Sequence, residues 1–423
     1  MSIEMLIFFV LVALFLLGIE VVTVLALGAI FLTLLHPQFP MANISLTMFD
    51  SLNLFPLLAL PLFVATGDFI AEGGIAKQIM RFSRSLVGWI RGGLSLTALV
   101  ASGIFAAISG SNAATVATIG RVVLPEMRKQ NYPNSFAAGT VAAGGVVGIV
   151  IPPSIAFVLY GVTTGVSVSD LFIAGILPGV IMVGAMCMVA YLMSRRKDYG
   201  VRTRFSVREV ARGGLETKWA LGAIVLILGG IYGGIFTPTE AGAVAAVYCL
   251  LVGLFITRQT KWRQLGNVLV RSSRICGLIV PIVAIAIVLS QNLAVLGIPA
   301  VVLEFLVGWT DNYALKLSMV LLLLLFAGCV MESAPNILLL APMLMPVTAQ
   351  LGIDPIHFGV IMVTTLAVGF ITPPIGLNLF VASAVSGANV SAIARAVTGY
   401  VGVLIMAVIL IAFVPQLSLL FVK

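Results

Sequence analysis

A pair of adjacent prolines occurs twice in this chain, at Pro152-Pro153 and, 221 residues later (373 − 152), at Pro373-Pro374. Further pairs recur at offsets of 220 or 221: Leu124-Pro125 with Met345-Pro346, Leu86-Val87-Gly88-Trp89 with Leu306-Val307-Gly308-Trp309, and Glu20 with Glu240. A fixed period of this kind is the signature of an internal repeat. We therefore expect two related halves, in which each proline pair occupies an equivalent place.

The two halves span about 1–200 and 218–423. Hydrophobic residues make up 61% of the 423 residues, charged residues only 9%, and the mean hydropathy is +1.19. Because a soluble globular chain carries about 25% charged residues, this composition predicts an all-α polytopic membrane protein. The net charge of +8 comes from short basic runs between apolar segments. That pattern is typical of cytoplasmic loops and argues against a nucleic-acid partner.

Each half contains about five apolar segments that could cross a membrane. They lie near 4–18, 20–35, 50–71, 135–164 and 170–193 in the first half, and near 219–236, 239–257, 276–295, 356–385 and 392–418 in the second. Because five is an odd number, the second half must enter the membrane from the opposite face, which predicts an inverted-topology repeat. The joining segment 195–218 is rich in Arg and Lys and is predicted to be a cytoplasmic loop, and segment 258–274 is basic again.

Two segments in each half do not fit simple spans. Segment 74–91 carries four Lys or Arg residues, whereas its counterpart 295–311 carries none, so we expect amphipathic arms on opposite faces of the membrane. Segments 94–130 and 314–350 are apolar but interrupted by polar residues near the middle. Such interruptions survive at membrane depth only when buried in protein or facing a water-filled cavity, so each segment is predicted to be a re-entrant helical hairpin.

The proline pairs interrupt the long apolar segments 135–164 and 356–385. Proline lacks the backbone donor and clashes with the preceding turn, so Pro152, Pro153, Pro373 and Pro374 are predicted to break their helices. A break frees carbonyl oxygens that suit a hard cation such as Na⁺. The predicted Na⁺ ligands lie at the hairpin tips and the breaks: Ser109, Asn112, Gly148, Ile151, Glu332, Ser333, Gly369 and Thr372.

The same region is predicted to bind an anion without a cationic side chain. Arg121 lies nine positions past Asn112, about 13 Å away along a helix, and helix N-termini attract anions. The predicted substrate-binding residues are Ser109, Ser111, Asn112, Ser154, Glu332, Ser333, Asn336 and Asn378. A single proline pair could be only a kink, and a Ser-Gly-Ser tip only a packing feature. Two proline pairs, each beside an interrupted hairpin, favour a binding site.

Other functional classes find little support in the sequence. No lysine follows a Gly-rich P-loop, and His36 and His357 do not form an H-E-x-x-H motif, so we do not expect an enzyme. An ion channel or ion-conducting subunit is the alternative. A channel would carry polar residues along several spans, whereas the polar residues here gather at the interruptions.

Three motifs carry a resemblance to a known family: Gly229-Gly230-Ile231-Tyr232-Gly233-Gly234-Ile235-Phe236-Thr237-Pro238-Thr239-Glu240-Ala241, Leu351-Gly352-Ile353-Asp354-Pro355-Ile356-His357-Phe358-Gly359-Val360, and Ile371-Thr372-Pro373-Pro374-Ile375-Gly376-Leu377-Asn378-Leu379-Phe380. Over essentially its whole length, the chain resembles the large membrane subunit of tripartite ATP-independent periplasmic (TRAP) transporters, within the ion-transporter superfamily.

This resemblance implies Na⁺-coupled import of a small organic anion, a carboxylate or sulfonate, across the bacterial inner membrane by an elevator motion. The hairpins and broken helices would form the transport part. The spans within 4–71 and 219–295, with 170–193 and 392–418, would form the scaffold. The resemblance further implies a small four-helix membrane subunit and a soluble periplasmic substrate-binding protein as partners, with Na⁺ as coupling ion and no other cofactor. The substrate stays open among sialic acid, C4-dicarboxylates, other sugar acids and sulfonates.

Overall fold

The computed structural model describes residues 10, 13–14, 17–36, 40–197, 199–200, 205–308 and 310–422, and within them the chain is helical with no β-strand. The predicted span 4–18 lies almost entirely outside the described residues. The first-half helices are α1 (Val21–Leu35), α2 (Met41–Leu52), α3 (Ala59–Glu72), α4 (Ile75–Val87), α5 (Gly93–Ser109), α6 (Asn112–Lys129), α7 (Asn134–Gly145), α8 (Ile155–Thr164) and α9 (Val168–Lys197).

The joining segment holds α10 (Val207–Glu216). The second-half helices are α11 (Lys218–Tyr232), α12 (Pro238–Leu251), α13 (Trp262–Val295), α14 (Ile298–Val307), α15 (Tyr313–Val330), α16 (Ser333–Gln350), α17 (Pro355–Gly369), α18 (Leu377–Ser386), α19 (Val390–Phe413) and α20 (Gln416–Leu419). Short 3₁₀ turns cover Phe55–Leu58 and Val146–Ile149, and a π-turn covers Val252–Ile256.

The chain is a multi-pass membrane protein. Among the described residues, six segments are long and apolar enough to cross a membrane: Phe55–Glu72, Val168–Lys197, Pro238–Ile256, Trp262–Val295, Tyr313–Val330 and Val390–Phe413. Counting α10 and α11 as one bent span, with an angle of 68° between them, gives up to seven. Ten were predicted. Five of the ten are among these six, and the sixth, Tyr313–Val330, lies in the predicted hairpin 314–350. Of the other five, the proline pairs divide two into helices too short to cross alone.

Helices α1, α2, α3, α11, α12 and α13 pack into one body, called here the scaffold. Helices α3 and α12 approach closely because a glycine lies between them: a Cβ added at Gly242 would lie 3.1 Å from the Leu62 Cβ. Polar contacts hold α13 at both of its ends. Asn292 Nδ2 donates to Thr33 Oγ1 of α1 at 3.0 Å, and Arg271 forms ion pairs with acidic residues of α3.

Helices α5–α9 and α15–α19 pack into a second body, called here the core. The assignment of spans 170–193 and 392–418 to the scaffold is therefore wrong, because α9 and α19 pack against the hairpins and broken helices. A Cβ added at Gly175 of α9 would lie 2.6 Å from the Phe157 ring of α8, and the Tyr400 hydroxyl of α19 lies 3.0 Å from Thr140 Oγ1 of α7. Hydropathy identifies a span but not its neighbours.

The two bodies are joined by the arms and by direct helix contacts, among them α9 with α11, α3 with α5, and α13 with α16. Arms α4 and α14 fall inside the predicted segments 74–91 and 295–311. Tyr232 of α11 donates its hydroxyl to the carbonyl of Phe172 in α9 at 3.2 Å, and the Phe172 ring lies edge-on to Phe63 of α3 at 6.3 Å. This contact connects the scaffold directly to the core.

The basic segment 195–218, predicted to be a loop, and the basic segment 258–274 both contain helices. The joining segment 195–218 includes α10, which packs on arm α4: Thr217 Oγ1 donates to the Gln78 carbonyl at 2.9 Å. Most of segment 258–274 is the start of the 34-residue helix α13. Both were missed because charged side chains lower the hydropathy of a helix that leaves the apolar layer. Helix α2 was not predicted at all.

Candidate functional site

The first hairpin turns at Gly110, between α5 and α6. Gly110 has φ +59°, and a Cβ there would lie 2.6 Å from the Pro153 carbonyl oxygen, so the hairpin tip touches the first proline pair. Ser111 caps α6 by accepting a hydrogen bond from the Ala114 amide at 3.4 Å. Ser109 Oγ lies 3.3 Å from Thr115 Oγ1, and that hydroxyl donates to the Ser111 carbonyl at 2.7 Å.

A glycine at each break lies in backbone contact with the hairpin of its own half. A Cβ added at Gly148 would lie 2.6 Å from the Ser111 carbonyl oxygen and 2.7 Å from the Asn112 Cα. Gly369, 221 positions later, is equally close to α15, with its added Cβ 2.4 Å from the Gly328 carbonyl carbon. Residues with a side chain do not fit at either position. The equivalent glycines therefore place both breaks directly against a hairpin.

The first proline pair leaves several carbonyls, that of Gly148 among them, without a hydrogen bond from any described residue. The helical partners four residues after Gly148 and Ile149 would be Pro152 and Pro153, which have no N–H. Ser154 Oγ donates to the Ile149 carbonyl. The Ile151 amide donates to Val147 at 3.0 Å, so no described residue donates to the Gly148 carbonyl.

The hydrogen bonds at the second break come from different donors. The Gly369 carbonyl accepts from the Thr372 amide at 2.9 Å, and the Phe370 carbonyl accepts from the Asn378 amide at 3.0 Å. Thr372 Oγ1 donates to the Val368 carbonyl at 2.9 Å. Both breaks therefore combine carbonyls that accept hydrogen bonds with others, such as those of Gly148 and Ile371, that accept none from a described residue.

A pair of asparagines joins the two halves. Asn112 Nδ2, at the start of α6, donates to Asn378 Oδ1, at the start of α18, at 3.2 Å. Asn378 Nδ2 donates in turn to the Ala142 carbonyl of α7 at 3.2 Å. Both asparagines are buried. The pair places the first hairpin tip against the helix that follows the second proline pair.

The second hairpin turns between α15 and α16, where Asn336 closes the turn. Its Nδ2 donates to the Ala327 and Met331 carbonyls, both at 3.1 Å, while its Oδ1 is buried without a hydrogen-bond donor. Glu332 is exposed at the N-cap position of α16 and does not cap the helix with its side chain. Ser333 beside it is buried.

The predicted site residues thus lie on contiguous elements, but four predicted anion donors have their donor groups engaged within the protein: Asn112, Ser154, Asn336 and Asn378. Ser154, Asn336 and Asn378 donate to backbone carbonyls, and Asn112 donates to the Asn378 side chain. The hydroxyls of Ser111 and Ser333 donate to no described residue. The sequence reasoning missed Thr115, which could have been found from its spacing of four residues from Ser111.

The donor chemistry of this region favours a hard cation. Among the described residues, no group of three or more His, Cys, Asp or Glu side chains could hold a metal ion. The acceptors are carbonyl, amide and hydroxyl oxygens, which suit alkali and alkaline-earth ions rather than transition metals.

Hairpins and interrupted helices that meet inside a helical membrane protein are typical of secondary transporters. The chain belongs to the family described as tripartite ATP-independent periplasmic transporter, DctM component, whose model matches residues 8–417. Members of this family are transporter permeases rather than enzymes.

Relatives belong to the same family, and a solved structure shares the fold. The C4-dicarboxylate TRAP transporter large permease protein DctM of Pseudomonas aeruginosa is 40% identical over 396 residues, which are 93% of this chain and 92% of that protein. The isethionate TRAP transporter permease protein DctMQ of Oleidesulfovibrio alaskensis is 35% identical, over 96% of this chain and 64% of that protein. The crystal structure of the Alcanivorax borkumensis YdaH transporter has a TM-score of 0.63 at 15% identity, covering 93% of this chain and 97% of that chain, and so shares the fold.

Proposed function

We propose that this chain imports a small organic anion, coupled to Na⁺, across the bacterial inner membrane as the large permease subunit of a TRAP transporter. Family membership supports organic-anion transport, because relatives are named for a C4-dicarboxylate and for isethionate, a sulfonate. The observation that carries Na⁺ coupling is the Gly148 carbonyl, which the proline pair leaves open beside the first hairpin tip.

Two acceptors mark the proposed Na⁺ sites. The Gly148 carbonyl lies at the first break, and the buried Oδ1 of Asn336 lies at the second hairpin tip. A buried acceptor without a donor costs about 1–3 kcal/mol, and an ion would offset that cost. The first site would add oxygens from Ser109, Ser111 and Ile151. The second site would add the carboxylate of Glu332, which precedes Asn336 by four residues in the chain.

The substrate acid group would rest on hydroxyls and helix N-termini rather than on arginine. Ser111 and Ser333 are the hydroxyl donors left free by the packing. The first turn of α16 adds backbone amides, because Glu332 does not cap them. Hydrogen bonds to a charged group contribute roughly 1.5–3 kcal/mol each, so three or four together hold a carboxylate or sulfonate.

Transport would proceed by movement of the core against the scaffold, as in an elevator. The two bodies meet at the arms α4 and α14 and at helix contacts such as Tyr232–Phe172, whereas the residues proposed to bind Na⁺ and substrate all belong to the core. A small four-helix membrane subunit and a soluble periplasmic binding protein would complete the transporter. The relative named DctMQ is longer than this chain, which leaves room for a second component in one polypeptide.

The proposal is tested by reconstituting the chain with its small membrane subunit and binding protein in proteoliposomes. Uptake of labelled C4-dicarboxylates, isethionate and sugar acids is measured with an inward Na⁺ gradient and with K⁺ in its place. We expect uptake of one anion class only with Na⁺, and a sigmoidal dependence on Na⁺ concentration. Equal uptake in K⁺ would contradict Na⁺ coupling, and a current without bound substrate would favour an ion-conducting subunit.

A further inference from the structure

The first third of α13 lies at the edge of the membrane. The helix has 34 residues and is about 51 Å long at 1.5 Å per residue, whereas the hydrocarbon core is about 30 Å thick. From Ile275 to Val295 it carries no charged residue, while Arg263, Arg271 and Arg274 precede that stretch. Because Lys and Arg mark the cytoplasmic side, the arginines lie at the cytoplasmic boundary.

The three arginines differ in their partners. Arg271 is neutralised by Asp68 and Glu72 of α3, at 3.0 Å each. Arg263 and Arg274 are exposed and form no ion pair or hydrogen bond with any described residue. Since they are 11 residues apart, about three turns, they lie on the same face of the helix.

The depth of Arg274 makes an unpaired charge costly. Arg271 is level with the last turn of the membrane-crossing segment Phe55–Glu72, and Arg274 lies three residues further, about 4.5 Å deeper. Ionisable groups at such depth need a partner of opposite charge or access to the headgroup layer. Arg274 faces away from the protein, so its anion must come from outside the chain.

The surface around Arg274 has the composition of a lipid contact. Val270 and Leu278 on the same face are exposed, and a Cβ added at Gly277 would meet no atom within 4 Å. Nearby, Trp262 is 69% exposed and lies edge-on to the exposed Phe255, with ring centroids 6.2 Å apart. Aromatic residues of this kind are enriched at membrane interfaces.

We propose that the face formed by Arg263, Asn267, Val270 and Arg274 binds anionic phospholipids of the cytoplasmic leaflet: Arg274 contacts a phosphate, and Arg263, about 16 Å nearer the start of the helix, contacts the charged headgroup layer. Long side chains on a helix lean toward its N-terminus, which brings the Arg274 guanidinium to the level of the phosphate. Arginine binds phosphate in a bidentate geometry, and basic surfaces on the cytoplasmic side of membrane helices recognise such headgroups. Leu278 then contacts an acyl chain.

The test uses the full-length chain purified in detergent and titrated with phosphatidylglycerol or phosphatidylcholine, with the thermal unfolding midpoint as readout. We expect phosphatidylglycerol to raise the midpoint at lower concentrations than phosphatidylcholine. The double variant Arg263→Gln/Arg274→Gln should need at least tenfold more phosphatidylglycerol, while Arg208→Gln, at another exposed arginine, should behave as the parent. Arg274→Lys, which keeps the charge, should retain most of the effect.

Several outcomes would overturn the assignment. One is an equal response of the parent to both lipids, and another is an unchanged phosphatidylglycerol response in the double variant. The third outcome concerns a protein partner. If a cysteine at position 274 crosslinks to the small membrane subunit and the parent shows no lipid preference, an acidic residue of that subunit occupies this face. Equal midpoints of parent and double variant in phosphatidylcholine establish that the variant is folded.

Discussion

Adding one methyl group at Gly148 tests whether contact between the break and the hairpin forms the proposed Na⁺ site. The new Cβ of Gly148→Ala would lie 2.6 Å from the Ser111 carbonyl oxygen, and ordinary contact begins at 3.4 Å, so the hairpin tip must retreat by about 0.8 Å (3.4 − 2.6). Overpacking of this kind costs about 1–3 kcal/mol. If Na⁺ binding requires the unshifted tip, the apparent Na⁺ affinity falls between about fivefold and 150-fold.

Thermal unfolding of the purified chain measures the apparent Na⁺ affinity without knowledge of the substrate. An ion that binds only the folded state raises stability in proportion to RT ln(1 + [Na⁺]/Kd), so the midpoint is followed across NaCl concentrations, with choline chloride holding ionic strength constant. Gly184→Ala is the control, because a Cβ there meets no atom within 4 Å. If Gly148→Ala and Gly184→Ala respond to Na⁺ at the same concentrations, the proposed site is wrong.

Three further predictions concern other contacts. Asn378→Ala should destabilise the protein by about 1–3 kcal/mol, because it leaves the buried Asn112 amide without an acceptor. In thermal melts, the double variant Asn112→Ala/Asn378→Ala should then lose less stability than the two single variants combined, and strict additivity would refute the pairing. Tyr232→Phe removes one hydrogen bond between scaffold and core, worth about 0.5–1.5 kcal/mol, and should change the uptake rate two- to tenfold. Tyr248→Phe is the control, because the Tyr248 hydroxyl donates to the Trp219 carbonyl within the scaffold, and it should leave the uptake rate unchanged. Equal effects of the two variants would exclude a special role for the contact between the bodies. Cysteines at Arg84 and Glu304 should react with an impermeant reagent from opposite sides of the membrane, and labelling from one side would contradict inverted topology.

The membrane class and the positions of the helix breaks were accessible from sequence because both follow from local chemistry. Apolar length predicts a crossing, and a proline pair interrupts a helix whatever surrounds it. The start of α13 was not accessible, because Arg263 and Arg274 lower the hydropathy of a helix that continues unbroken. The packing of α9 depends on Gly175 meeting the Phe157 ring, and no periodicity in the sequence identifies that partner.

Within the candidate site, sequence reasoning found the elements but not how their polar groups are used. Ser154 and Asn336 were interpreted as donors to a substrate, whereas they donate to carbonyls of Ile149, Ala327 and Met331. A broken helix creates such needs for hydrogen bonds at its own ends, and nearby side chains meet them first. The donors that remain available to a ligand are set by distances between side chains and carbonyls in the folded chain, and these cannot be read from the sequence.

The Asn112–Asn378 pair also bears on how the protein is made. The two residues are 266 positions apart, and a second link across the halves joins Arg128 and Asn134 to the Ser386 carbonyl. During synthesis, the first hairpin is therefore inserted long before the helices that complete its packing exist. Until α18 emerges, the nascent chain holds this polar tip in the bilayer without Asn378, the residue that accepts its hydrogen bond.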